Sequence, residues 1–97
     1  MAPDSYAAWR GRLATANNPA FWNIEGIDAE LQAGRAQFWA CGTAALITRV
    51  VEYPGGARSC EALAGAGDMD GLVGGIAPQV EQWASENGCT HLLIAGR

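Results

Sequence analysis

The spacing of apolar positions along the chain changes twice, from helical to alternating and back. Tyr6, Trp9 and Leu13 fall at i, i+3 and i+7, one face of a helix that Asp4 or Ser5 can cap. Asn17-Asn18-Pro19 is a turn cluster and predicts where that helix stops. Ile24, Ile27 and Leu31 mark a second, short helical segment, with Asp28 and Glu30 near its start and Gly34 as its C′ residue. Phe21 and Trp22, between the two, are expected to pack this N-terminal part onto a sheet.

From Gln37 the period becomes two. Gln37 to Cys41 and Ala44 to Tyr53 are rich in aromatic and β-branched residues and are joined by Cys41-Gly42-Thr43, the pattern of an antiparallel hairpin. In the longer strand Leu46, Thr48, Val50 and Glu52 share one face, and Ala45, Ile47, Arg49, Val51 and Tyr53 the other. Apolar side chains on both faces predict a central strand covered on both sides. Pro54-Gly55-Gly56 suits a tight turn, after which Arg58 to Ala64 is expected to return antiparallel into a Gly65-Ala66-Gly67 loop.

A helix is then predicted, with Asp68 as N-cap and Met69, Leu72, Val73, Ile76, Val80 and Trp83 as its buried face. Gly74, Gly75 and Pro78 predict either a kink or a break that leaves Pro78 in the first turn of a second helix. Asn87-Gly88 ends it. Cys89 to Ala95 reads as a fourth strand, interior and parallel to a neighbour because a helix crosses over to reach it.

Ninety-seven residues, 49% of them hydrophobic and 16% charged, fit one globular unit with a workable core: a helical part over 1–35 and a sheet, glycine loop, helix and last strand over 36–97. Ten acids stand against six arginines, and there is no lysine. This composition argues against nonspecific nucleic-acid binding, which needs dense cationic neutralisation of phosphate. No run of about 18 apolar residues and no apolar leader pattern is present, so a soluble, intracellular protein without membrane contact is expected. Cys41, Cys60 and Cys89 are odd in number and lack a C-x-x-C pair, favouring neither a disulfide framework nor zinc; all three are expected to be small buried strand residues.

The candidate chemistry is sparse. Gly65 and Gly67 before a helix could cradle phosphate on backbone N–H groups, or could simply make a turn and a cap. Asp68 and Asp70 oppose phosphate by charge. A dinucleotide-binding reading fails because the preceding strand closes an antiparallel meander, and a Walker loop would need a lysine. Glu52 and Glu61, on adjacent strands, could act as a general base if sheltered, or could be solvated strand residues. His91 has no triad pattern around it and reads as a surface or structural residue. Trp9, Trp22, Trp39 and Trp83 are spread over four elements, as core residues are.

The order β-β-β, glycine loop, helix, β, with the segments FWACGTAALITRVVEYP, EALAGAGDMDGL and VEQWASENGCTHLLIAGR, resembles the GNAT acyltransferase superfamily, and most closely its small members from tailed phages and prophages. The resemblance covers roughly residues 27–97. It implies an α+β fold, GNAT-like, with a mainly antiparallel mixed sheet and helices on its faces. It also implies a binding loop for the pyrophosphate of acetyl-CoA at Gly65, Ala66, Gly67, Asp68 and Met69, with Glu52 or Glu61 as base. Gly65 and Gly67 match the two small positions of the family loop, whereas its cationic or amide position falls on Ala62. Family members continue beyond the last strand to complete the CoA site, and this sequence stops at Arg97. The resemblance therefore implies a degenerate site without autonomous catalysis, a virion or assembly protein, or an acyltransferase completed by other residues or a partner. The expected partners are further copies of the chain or other phage proteins, in the host cytoplasm or the virion.

Overall fold

A computed structural model describes residues 5–16 and 23–93. Phe21, Trp22 and the Asn17-Asn18-Pro19 turn lie outside the described residues. Helix α1 (Tyr6–Ala16) starts at Ser5, whose carbonyl and hydroxyl both accept from Ala8 N–H. Helix α2 (Ile24–Gln32) starts at Asn23, whose side chain accepts from Gly26 N–H. It ends in a Schellman arrangement: Gly34, at φ 78°, donates to Leu31 and Arg35 donates to the Glu30 carbonyl. Asp28 and Glu30 lie in the middle and last turn of α2, not near its start, because the helix begins at Ile24.

Strands β1 (Ala36–Ala40), β2 (Ala44–Glu52), β3 (Arg58–Gly67) and β4 (His91–Leu93) form one sheet in the order β1-β2-β3-β4. The first three are antiparallel, and β4 runs parallel to β3 over Ser59–Glu61. The fold is α+β, a mixed sheet with α1 and α2 on one face and the helix after β3 on the other. β2 is central, as its two apolar faces require. Ala45 and Ile47 pack with Trp9, Leu13 and Ile27, while Ala44 and Leu46 pack with Ile76, Val80 and Ala84. Among the described residues β4 is an edge strand, not the interior strand expected from its composition, and Cys89 and Thr90 precede it as a turn. Only Cys60 is a buried strand residue; Cys41 and Cys89 are half-buried in turns at element ends.

β3 also departs from expectation, since it does not stop at Ala64. Gly65, Ala66 and Gly67 stay in register with Leu46, Ala45 and Ala44, after an irregularity between Ile47 and Thr48 that inserts Leu63 on the β3 side. The chain then enters a π-helical segment, Gly71–Ile76, and an α-helix α3, Ala77–Glu86, with Pro78 in its first turn. Because α3 continues directly from the π-helical segment, the proline removes one donor from a continuous helical run, and the wider turn before it relieves the clash with the carbonyl four residues back. The wider turn also changes which side chains face inward. Leu72, Ile76, Val80 and Ala84 line the sheet at steps of four, whereas Met69 and Val73, expected in the buried face, are 49% and 61% exposed. α3 ends like α2, with Gly88 at φ 77° and Cys89 donating to the Ala84 carbonyl.

Two charged networks hold the N-terminal helices. Asp28 accepts from Arg10 Nη2 at 2.6 Å and from Tyr6 Oη at 2.5 Å, tying α1 to α2. Glu30, 9% exposed, takes Arg35 at 2.8 Å and Arg49 of β2 at 3.3 Å. The Arg10 hydrogen bond, then the Tyr6 hydroxyl, holds the Asp28 carboxyl below the usual range. Arg35 does the same for Glu30. Burial, then the bond to Asp28, pushes Tyr6 up to about 12.

The signs give a pH prediction. Depressed carboxyls stabilise the fold above their unfolded pKa of about 4 and lose that contribution as pH falls through the folded values. A raised tyrosine stabilises it below about 10 and loses that as pH rises through about 12. The urea midpoint should therefore be highest between about pH 5 and 9 and fall on both sides, with Asp28→Asn flattening the acid limb and Tyr6→Phe the alkaline one.

Glycine substitutions should separate close approach from backbone conformation alone. A Cβ on Gly34 meets no atom within 4 Å, so Gly34→Ala should cost only the left-handed conformation, about 1 kcal/mol. A Cβ on Gly67, at φ 103°, would lie 2.5 Å from Ala44 Cα and overlap the Thr43 carbonyl oxygen. Gly67→Ala should therefore lose more, about 3 kcal/mol or greater by urea unfolding.

Candidate functional site

The five residues of the candidate loop sit where the end of β3, the turn between β1 and β2, and the start of the following helix meet. Asp68 N–H donates to the Thr43 carbonyl at 3.1 Å, extending the β2–β3 ladder by one bonded pair. In an antiparallel ladder bonded pairs alternate with non-bonded ones, so Ala66 pairs with Ala45 through both hydrogen bonds. Gly65 and Gly67 fall between, with their N–H and C=O directed away from β2. They face the side on which β4 lies, and the described β4 reaches only Ser59–Glu61. The close Cα approach of a non-bonded pair is also what crowds Gly67 against Ala44.

Asp68 is the N-cap that the sequence predicts. Its Oδ1 accepts from Gly71 N–H at 2.5 Å and its carbonyl accepts from Leu72 N–H at 3.2 Å. A carboxylate of the chain itself thus occupies the positive end of the helix, where an anionic ligand would be held. Asp70, exposed beside it, adds a second negative charge. Gly71 and Gly75 let the helix lie against the hairpin turn: a Cβ on Gly71 would stand 2.5 Å from Thr43 Oγ1, and one on Gly75 would stand 3.1 Å from Cys41 Sγ.

On the other face of the sheet a shallow groove of about 550 Å³ runs between α1 and the end of β3, lined by Ala8, Gly11, Arg12, Thr15, Ala66 and Gly67. The Arg12 guanidinium lies 4.6 Å from the centre of the Trp9 ring and makes no ion pair among the described residues. Sequence reasoning missed this cation. The docking of α1 across β3 is a tertiary relation, and no local pattern brings residue 12 beside residue 67.

The two candidate bases are not brought together. Glu52 lies opposite Arg58, pairs with it, and sits on the α3 side of the sheet. Glu61 lies opposite Arg49 on the other side and accepts from the Tyr53 hydroxyl at 2.5 Å, a bond that raises the Tyr53 pKa. At about 3.3 Å per strand residue, Glu61 stands roughly 13 Å from Gly65 along β3, and Glu52, opposite Arg58, roughly 23 Å away. Glu61 is the nearer of the two, and Tyr53, beside the Pro54 turn, is a partner that its spacing in sequence does not suggest. His91 is exposed on β4, its Nδ1 2.9 Å from Thr90 Oγ1. Burial pushes up the Cys60 thiol, which disfavours the thiolate a nucleophile would need. The described residues contain no His, Cys, Asp and Glu cluster able to hold a metal ion, and none of their helices is long and apolar enough to cross a membrane.

Comparison with known proteins adds no relative: no family model, curated protein or solved structure matches the chain.

The role of Asp68 as a cap is open to direct measurement. Asp68→Ala should lower stability by about 1 kcal/mol, whereas Asp68→Ser, which keeps an acceptor for Gly71 N–H, should stay within a few tenths of the parent.

Proposed function

We propose that this chain is a GNAT-like protein of the phage or prophage type whose acyl-CoA loop is degenerate, and that it works through protein contacts without catalysing acyl transfer by itself. The observation that carries this reading is the Asp68 carboxylate on the Gly71 N–H, 2.5 Å away. A pyrophosphate approaching the helix start would meet that carboxylate and Asp70. It would find Ala62 where the family loop supplies a cation or amide. The order of elements supports the GNAT part of the reading: two helices, three antiparallel strands, a helix, and a strand parallel to the third.

One observation favours a second reading, an N-acyltransferase completed by a partner or by further chain. The amides of Gly65 and Gly67 face an edge that no described strand covers, and an extended acyl-CoA arm could pair with them there. Glu61, which lies on β3 with these glycines and is held by the Tyr53 hydroxyl, would then be the base.

Calorimetry with acetyl-CoA separates the two. The proposal expects no saturable heat from the full chain at ligand concentrations up to about 1 mM, a range in which even weak sites register. It further expects Asp68→Ser to bind more strongly than the parent, since that change removes the internal anion and keeps the cap. Micromolar binding by the unaltered chain, unaffected at Asp68, would overturn it.

A further inference from the structure

The helix after β3 presents an apolar face that the sheet does not cover. Met69 and Val73, one turn apart, are two of the three large hydrophobic residues with substantial exposure among the described residues. Gly74 and Pro78 continue the exposed face, and no charged side chain occurs between Gly71 and Val80. The inward stripe of Leu72, Ile76, Val80 and Ala84 packs this helix on the sheet, and Met69 and Val73 lie outside that core. Methionine is well suited to such a position, because its flexible, polarisable side chain adapts to a partner's surface.

Gly74 is an independent sign. Gly71 packs closely on Thr43 and Gly75 tightly on Cys41, but a Cβ on Gly74 would meet no atom within 4 Å, and its φ is not positive. No other side chain fills the space a Cβ would take there, and glycine weakens a helix. What the missing side chain leaves is bare backbone beside Val73, where another chain can approach closely.

The charges around the face identify the occupant. Asp68 and Asp70 border one end and Glu81 the other, all three exposed, and Asp70 and Glu81 make no ion pair among the described residues. A second copy of the chain is a poor complement. It has no lysine and a net charge of −4. Its described arginines are engaged elsewhere, four of them with carboxylates and Arg12 over Trp9. We infer that the face formed by Met69, Val73, Gly74 and Pro78 docks a different protein, through an amphipathic segment whose apolar side chains are flanked by arginine or lysine. The inference rests on the protein-contact reading and supplies its partner chemistry.

The test uses the full chain and two synthetic amphipathic helical peptides with the same leucine face, one flanked by arginines and its twin by glutamates. The arginine peptide should bind and the twin should not. Binding should weaken at least about tenfold with Val73→Asp, as for a central contact, and weaken again when salt is raised from about 0.05 to about 0.5 M. Val73 is 61% exposed, so the melting temperature of Val73→Asp should match the parent and show that the fold is kept. Gly74→Ala should raise the melting temperature by a few degrees and still weaken peptide binding, a combination a purely structural glycine would not give. Equal binding of the two peptides, no binding of either, or indifference to Val73→Asp overturns the inference. So does a dimer of the chain alone, by sedimentation, that Val73→Asp dissociates, since a second copy would then occupy the face. Acetyl-CoA titrated into the same sample reports separately on the parent reading: failure of the peptides alone leaves that reading standing, and acetyl-CoA binding removes it whatever the peptides do.

Discussion

The approach of β3 to the turn between β1 and β2 is the constraint on which the rest of the C-terminal half depends. A non-bonded antiparallel pair brings Gly67 against Ala44 at a distance no side chain tolerates, and that closeness carries Asp68 N–H onto the Thr43 carbonyl. Once Asp68 is fixed there, its side chain can reach only the donors of the next turn, and Gly71 N–H receives it. The direction of the helix follows. Gly71 and Gly75 let the helix settle on Thr43 and Cys41, and with the helix lying so Ile76 and Val80 reach the sheet face that β2 presents through Ala44 and Leu46. One close backbone contact thus links a strand register, a helix cap and half of the core.

Sequence pattern foretells most of the elements, and where it fails the cause is a specific tertiary effect. Both Schellman ends were legible because Gly34 and Gly88 follow helical runs and supply the left-handed residue that the motif needs. The double-sided burial of β2 was legible because a strand with apolar residues on both alternating faces has no side to give to water. Gly65-Ala66-Gly67 reads as a loop because glycine disfavours strands. Its pairing with Leu46, Ala45 and Ala44 is decided by the partner strand, which a local reading does not see. The helix face was misphased for a related reason. A period of 3.6 puts Met69 and Val73 inside, but the π-helical segment lengthens the turn and moves them out. β4, apolar enough for an interior strand, lies at an edge among the described residues because sheet order is not encoded in hydrophobicity alone.

The candidate site shows the same division. Its residue identities, two glycines followed by an acid at a helix start, were visible in the sequence, along with the opposition between phosphate and the two aspartates. Its geometry was not. That Gly65 and Gly67 turn their amides outward, that Arg12 comes across from α1, and that Tyr53 holds Glu61 all depend on how strands and helices are registered. The two acids proposed as bases illustrate the point most simply. Adjacent strands suggest proximity, yet the register places Glu52 and Glu61 on opposite faces of the sheet, each already engaged by another side chain.

On the proposed reading, the helix start has lost a ligand without losing its shape. An N-terminus with free donors needs an acceptor, and an anionic ligand or a side-chain carboxylate satisfies that need in similar geometry. A carboxylate built into the chain is always present and requires no binding equilibrium. Asp68 occupies the donor at Gly71, and Gly67 and Gly71 serve the close packing on Thr43 and Ala44. On the proposed reading, the glycines persist because the fold needs them. Gly74 differs from the other two glycines of this helix: it faces away from the hairpin turn, on the side where Met69 and Val73 are exposed.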